Sequence, residues 1–163
     1  MAFTADQLLA RLAELGIRVT TAEHPPLMTV DDSKRLRGDL PGGHVKNLFL
    51  RDKRKKFWLL TTLEDLPVDL KAMAQKLGAG KFSFANAGEL QRTLGIAPGA
   101  VSPFAVINDT AGAVTVVLDT RMLEVSPLNF HPLRNDRTTT IATADFLRFL
   151  DTVAHRPMIL PFA

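Results

Sequence analysis

Lys46 and Asn47 stand just before the apolar run Leu48-Phe49-Leu50 and just after Gly43-His44-Val45. A lysine at the start of an apolar strand either snorkels its ammonium to water or holds it for an anion. Composition alone favours the ordinary edge lysine. A few residues on, Arg51 and Lys53-Arg54-Lys55-Lys56 place five cations in six positions. The plain reading is a solvated turn. The alternative is a phosphate backbone, against which clustered cations gain from counterion release. Lys34, Arg35 and Arg37 form a second cluster. In Gly99-Ala100-Val101-Ser102-Pro103 glycine relaxes the chain. Backbone N–H groups of such a loop can hold a carbonyl or oxyanion without any side-chain acid.

Other chemistries find less support. The four histidines, His24, His44, His131 and His155, show no paired metal-ligand spacing, so no metal is expected. There is no cysteine, hence no disulfide, thiolate ligand or thiol nucleophile. Serines 33, 83, 102 and 126 lack a nucleophile elbow, and Ser102 before proline suits a turn. Asp31-Asp32 and Glu64-Asp65 resemble caps or loops rather than paired acids. No Walker-type loop is present, and Gly42-Gly43 is too short to count as one.

The elements that position these residues follow from periodicity. Thr4 and Gln7 have capping-box spacing, Leu8, Leu12 and Leu15 recur at helical intervals, and Gly16 supplies a stop. A helix is expected over about residues 4–15 and a strand over 17–22, ended by His24-Pro25-Pro26. A short helix capped by Thr29 or Asp31 is expected before the Gly38–Gly43 loop. Residues 43–51 and 57–62 read as two largely buried strands joined by the basic turn. Residues 66–78 predict a helix with Leu70, Met73, Ala74 and Leu77 on one face. Residues 81–84 read as a strand, 87–95 as a helix with a glycine stop, 104–107 as a buried strand and 114–119 as its antiparallel partner. Residues 128–133 and 138–141 are strand-like. Residues 143–150 suit a capped helix with Phe146, Leu147 and Leu150 inward, and an apolar tail follows.

With 163 residues and a net charge of +3, one mixed α/β (α+β) domain is expected over 1–163, with a largely antiparallel sheet flanked by helices. No apolar stretch reaches membrane-span length and the N-terminus lacks signal-peptide form, which fits a cytoplasmic protein.

Four segments in one order carry a family resemblance. They are Glu23-His24-Pro25-Pro26; Lys46-Asn47-Leu48-Phe49-Leu50-Arg51-Asp52; Gly99-x-x-x-Pro103 running on to Phe104-Ala105-Val106-Ile107-Asn108-Asp109; and Asn129-Phe130-His131-Pro132-Leu133 with Thr138-Thr139-Thr140-Ile141. Together they resemble the bacterial aminoacyl-tRNA editing family related to the insertion domain of prolyl-tRNA synthetase (YbaK-like deacylases). The free-standing members that deacylate Ala-tRNA(Pro) are the nearest in look. Position 105 often carries glycine in such sequences and here is alanine.

The resemblance implies a cofactor-free, metal-independent hydrolase of the ester between a mischarged amino acid and the 3′ adenosine of tRNA(Pro), alanine foremost. Lys46 would engage the terminal adenosine or phosphate, with Asn47 beside it. Gly99, Val101, Ser102 and Pro103 would hold the aminoacyl carbonyl, and His131 would shape the pocket. A neighbouring ribose hydroxyl would help activate water. Leu27, Met28, Leu48 and Ile107 are candidate pocket walls. Arg51, Lys53, Arg54, Lys55, Lys56 and Lys81 would meet the acceptor stem. The implied partners are tRNA(Pro) and prolyl-tRNA synthetase, with neither DNA nor membrane. The alternatives are a deacylase for Cys-tRNA(Pro) or a seryl equivalent, and a non-catalytic binder of tRNA or of the synthetase. A generic RNA-binding domain is disfavoured, because no aromatic-rich RNP-like strand appears.

Overall fold

The computed structural model describes residues 2–27, 40–163 and, between them, Asp31, Asp32 and Lys34. Helix α1 (Ala5–Glu14) forms as its sequence dictates: Thr4 and Gln7 close a full capping box and Leu8 and Leu12 are buried. Strand β1 (Val19–Glu23) leads to His24. Of the expected short helix, Asp31, Asp32 and Lys34 are helical. Thr29 and Ser33, and Arg35 and Arg37 of the second basic cluster, lie outside the described residues. Strands β2 (Gly43–Arg51) and β3 (Phe57–Leu63) form the expected antiparallel hairpin, with Lys46 opposite Thr62 and Asn47 opposite Thr61.

Helix α2 (Leu70–Lys76) starts later than its periodicity predicts, because Asp69 caps it by accepting the Ala72 N–H. Strand β4 (Ser83–Phe84) is shorter than expected and pairs with the end of β2. Helix α3 (Ala87–Leu94) has a second capping box, Asn86 with Glu89, and ends on a left-handed Gly95. Two expectations then fail. Residues 104–107 are not a strand but part of a 3₁₀ helix, Pro103–Asn108. Strand β5 (Val114–Asp119) therefore pairs parallel with β3 instead of antiparallel with that segment. The reason is local. Ser102 Oγ accepts the Phe104 N–H, and the Ala105 N–H bonds the Ser102 carbonyl, which tightens the chain at Pro103. Phe104 then sits among Phe130, Phe146 and Phe149 at 5.5, 6.3 and 5.3 Å between ring centres. A segment buried on every side has no period to separate strand from helix.

A short 3₁₀ turn (Met122–Glu124) and a cis Ser126–Pro127 bond lead into β6 (Leu128–Phe130) and β7 (Arg137–Ile141). Helix α4 (Thr143–Thr152) buries Phe146, Phe149 and Leu150, and Leu147 packs half-buried against the same core. Thr143 does not cap it; its hydroxyl donates to the Val125 carbonyl instead. The tail folds back as β8 (Met158–Leu160), parallel to β5, with Phe162 buried behind it.

The eight strands form one mixed sheet in the order β1-β7-β6-β2-β3-β5-β8, with β4 also on β2. Four pairings are antiparallel and three parallel. Its two faces carry separate cores. Phe49, Leu59, Val116 and Leu118 pack with α1, α3, α4 and the 3₁₀ segment. Leu50, Leu60 and Val117 pack with Met73 and Ala74 of α2, Phe82 and Phe162. Alternation along β2 therefore sends Val45, Asn47 and Phe49 to the large core, and Lys46, Leu48 and Leu50 to the small one.

Candidate active site

Strand β2 is incompletely paired on one edge. It meets β6 only at Gly43 and His44, and β4 only at Leu50 and Arg51. Glycine makes the first junction possible. A Cβ on Gly42, at φ +93°, would lie 2.2 Å from the Pro127 carbonyl oxygen, and the Gly43 N–H bonds that carbonyl. Beyond His44 the two parallel strands separate. A narrow crevice of about 30 Å³ opens between His44, Val45 and Asn47 on one side and Asn129, Phe130, His131 and Thr138 on the other.

Asn47 is fixed on both sides. Its Nδ2 donates to the Val101 carbonyl at 3.1 Å and its Oδ1 accepts the Thr61 hydroxyl at 2.8 Å. The expected loop thus reaches the crevice through Val101. Gly99 turns that loop at φ +89°. Ser102 is fully buried, its hydroxyl committed to the Phe104 N–H, which leaves only its backbone for a substrate; Pro103 is buried beside it. Lys46 is half-buried and, among the described residues, its side chain has no ion pair or hydrogen bond. It does not share a face with Asn47: strand alternation turns it to the side of His44 and Leu48.

His131 follows β6 directly. Its Nδ1 bonds the Arg137 carbonyl at 2.8 Å, so Nδ1 carries the hydrogen and Nε2 keeps its lone pair. Burial, helped by the neighbouring His24, pushes its pKa below the ordinary histidine value, against the pull of the Arg137 carbonyl and Asp136. His131 is therefore a neutral acceptor at neutral pH. His24 lies 6.1 Å away between ring centres; its Nδ1 bonds the Pro25 carbonyl and its Nε2 lies 2.7 Å from the Thr138 hydroxyl. Asn129 donates to the Pro41 and Gly43 carbonyls and accepts from Thr140, holding the β2–β6 junction.

The pocket-wall expectations divide. Leu27 is buried, with its N–H on the Asn135 carbonyl, and frames the His131 loop. Leu48 packs against the small core on the Lys46 side. Ile107 does not reach the crevice: the 3₁₀ turn carries it to a groove with Phe3, Gln91 and Thr93. Met28 lies outside the described residues. His44 and Asn129 were given no role in the site from the sequence, although Asn129 opens one of the four segments. The available signal was a polar Asn129 between two core residues, Leu128 and Phe130.

The basic turn is built on Asp52, a buried carboxylate. It accepts the Arg54 and Lys56 N–H groups at 2.8 and 2.9 Å and the Trp58 indole at 3.0 Å. Burial works to raise its pKa, but the bonds from Trp58, Lys56 and Arg54 outweigh it and hold the carboxyl below its ordinary value. Lys53, Arg54, Lys55 and Lys56 are all exposed, as is Lys81. Arg51 instead pairs with Glu89 at 2.8 Å. The Asn86 N–H first, then Arg51, hold Glu89 below its ordinary value. Among the described residues no three metal-ligating side chains converge, and no helix is long and apolar enough to cross a membrane.

A sheet edge with a lysine unpartnered among the described residues, a fixed amide and a neutral histidine, next to a cationic turn, suits an anionic substrate that carries a carbonyl. Residues 24–149 match the aminoacyl-tRNA editing domain, and the chain belongs to that family. It is 39% identical over 162 residues to prolyl-tRNA synthetase associated domain-containing protein 1 of Xenopus laevis, covering 96% of each chain. It is 37% identical to prolyl-tRNA editing protein ProX of Acetoanaerobium sticklandii, covering 85% of each. Its fold is that of a crystal structure described as a candidate trans-editing enzyme for prolyl tRNA synthetase (TM-score 0.71, 15% identity, 99% and 98% of the two chains). Similar relatives come from vertebrates as well as bacteria, so the expected resemblance to a bacterial group extends beyond bacteria.

Proposed function

We propose that this protein hydrolyses mischarged tRNA(Pro) in trans, alanine being the amino acid removed. Water forms a bond to the aminoacyl carbonyl carbon, the ester bond to the terminal ribose oxygen breaks, and the water proton passes to that oxygen. The neighbouring ribose hydroxyl assists the attacking water. Lys46 engages the phosphate or adenosine of the 3′ end as a point charge. Asn47, tied to Val101, holds the Gly99–Pro103 loop against the carbonyl. His131 offers a neutral nitrogen at the crevice wall. Much of the rate on an activated ester then comes from positioning and oxyanion stabilisation.

The observation that carries this reading is the gap in the edge of β2. There Lys46, whose side chain has no partner among the described residues, lies in sequence between Val45 and Asn47 of the crevice and turns to the other face of β2, in a chain of the editing family. The crevice is narrow, which supports a size test that admits alanine and rejects the proline ring. A methylene difference alone discriminates by only about 1–3 kcal/mol, so exclusion must be steric.

The test is ester loss from tRNA(Pro) charged separately with alanine, cysteine, serine and proline, in excess chelator. Rapid loss of alanine with proline spared is the expected result. Loss of cysteine or serine alone reassigns the substrate, and loss of none removes the deacylase reading.

A further inference from the structure

Phe84 is the most exposed large apolar side chain among the described residues, at 62%. Its place in the fold is specific. In the register of β4 on β2, Phe84 stands opposite Leu50 and Ser83 opposite Arg51. Cross-strand partners share a face, so Phe84 lies on the Lys46–Leu48–Leu50 side of β2. It stands where β4 closes the far end of the same gap that His131 bounds at the other. Leu50 and Lys46 are four residues apart on β2, about 13 Å along the strand.

Cations cluster at the same end of the sheet. The hairpin tip carries Lys53, Arg54, Lys55 and Lys56, all exposed. The tip abuts the chain just ahead of β4: a Cβ on Gly80 would touch the Lys53 Cβ at 3.4 Å. Lys81 follows directly, so the tip and Lys81 form one basic patch with Phe84 at its border. Neighbouring Phe82 is buried edge-on against Trp58 at 5.8 Å, which anchors this short strand and leaves the Phe84 ring outside it. An exposed aromatic beside a positive patch is the arrangement that binds single-stranded nucleic acid. The cations track the backbone, and the ring offers a face to any base.

We propose that Phe84 is a stacking platform for an unpaired base at the 3′ end of an RNA acceptor stem. The basic patch holds the adjoining phosphates, and the strand then runs along β2 toward Lys46. The proposal rests on the reading of this site as an aminoacyl-tRNA site and adds the contact that orients the single-stranded end. Phe84 touches no reacting atom. It is a binding residue, and its loss should appear in KM rather than in kcat.

The experiment compares wild type with Phe84→Ala, Phe84→Leu and Phe84→Trp. One readout is affinity for an uncharged acceptor-stem RNA hairpin, with and without its unpaired 3′ nucleotides. The other is KM and kcat on alanyl-tRNA(Pro). F84A is expected to weaken binding and raise KM by about 10-fold, within the range for loss of one base–aromatic stack, with kcat nearly unchanged. F84W should restore affinity and F84L, apolar but without a π-face, should not. On the hairpin lacking its unpaired nucleotides, wild type and F84A should bind alike. Equal affinity of wild type and F84A for the complete hairpin overturns the proposal, as does full rescue by leucine. A change in oligomeric state without a change in RNA affinity overturns it in favour of a protein contact. Stacking-dependent binding without hydrolysis would sink the deacylase reading and leave this one standing.

Discussion

Lys46 and His131 differ in what they offer a substrate. Lys46 is cationic, half-buried and without a partner among the described residues, so it should matter to turnover and little to packing. We expect Lys46→Ala to lose most deacylation while keeping its melting temperature within a few degrees; retained activity in the folded variant would remove Lys46 from the mechanism. His131 is neutral because burial lowers its pKa. The sign of the linkage follows. Below the ordinary value of 6.5 the unfolded chain binds a proton that the folded chain refuses, so stability falls as pH drops from there toward the lowered value. Activity that needs a neutral Nε2 should hold through that window and fail only beneath it. A kcat/KM profile should therefore stay flat through pH 6.5 and fall only at more acid pH, beneath the lowered value, and His131→Gln should erase that fall. An acid limb above pH 6.5, or one unchanged in the glutamine variant, would exclude His131 as its source. Asn47 and His131 were legible in the sequence, and both line the crevice, whereas Ile107 was carried elsewhere by the 3₁₀ turn. Which core a side chain faces was not legible. Lys46 and Asn47 are neighbours in sequence and alternate to opposite faces of the strand; which core each face meets follows only from the helices that cover the two sides of the sheet.

The hairpin element joins site and surface. Its turn is a three-residue loop in which the Lys55 N–H bonds the Asp52 carbonyl and Lys55 takes the left-handed φ of +65°. That position suits glycine, and a lysine there costs about 1 kcal/mol. Lys55→Gly should thus stabilise the protein by about 1 kcal/mol in denaturant melts while weakening tRNA binding; a destabilised glycine variant would refute the strain. Asp52→Ala should instead destabilise the protein, removing three hydrogen bonds for about 2 kcal/mol or more, and should likewise raise KM as the tip loses shape. Asp52's contribution is present above pH 3.8 and lost as pH falls through its lowered value. Elements with caps and alternation, such as α1, α3 and the hairpin, could be read directly. The Pro103–Asn108 turn could not, since its apolar residues are buried all round and its form is decided by Ser102 and by three distant phenylalanines. The pairing of β5 was misjudged for the same reason. Once the supposed neighbour strand is a 3₁₀ helix, β3 is the edge left for β5 to join.

On the scale of the whole molecule, the net charge of +3 is modest, so any attraction for RNA is local rather than a global field. Five of the six residues 51–56 are cationic, but Glu89 holds Arg51, which leaves four exposed charges at one end of the sheet with Lys81. Exposed charges separated by more than about 10 Å are screened at ordinary ionic strength, so the clustered charges of this patch are close enough to act on one stretch of RNA in concert. Each phosphate it neutralises releases counterions, and log KM should climb with log salt by about 0.7 to 0.9 per contact. Replacing Lys53, Lys55 and Lys56 by glutamine leaves Asp52, Trp58 and both cores in place, so folding and kcat should persist. KM at low salt should rise severalfold and the salt slope should shrink by about 2, and the variant and wild type should converge at high salt, where screening removes what the lysines supplied. Identical slopes would mean that the tip only faces water. Substrate docking would then have to be sought around the crevice itself, nearer Lys46.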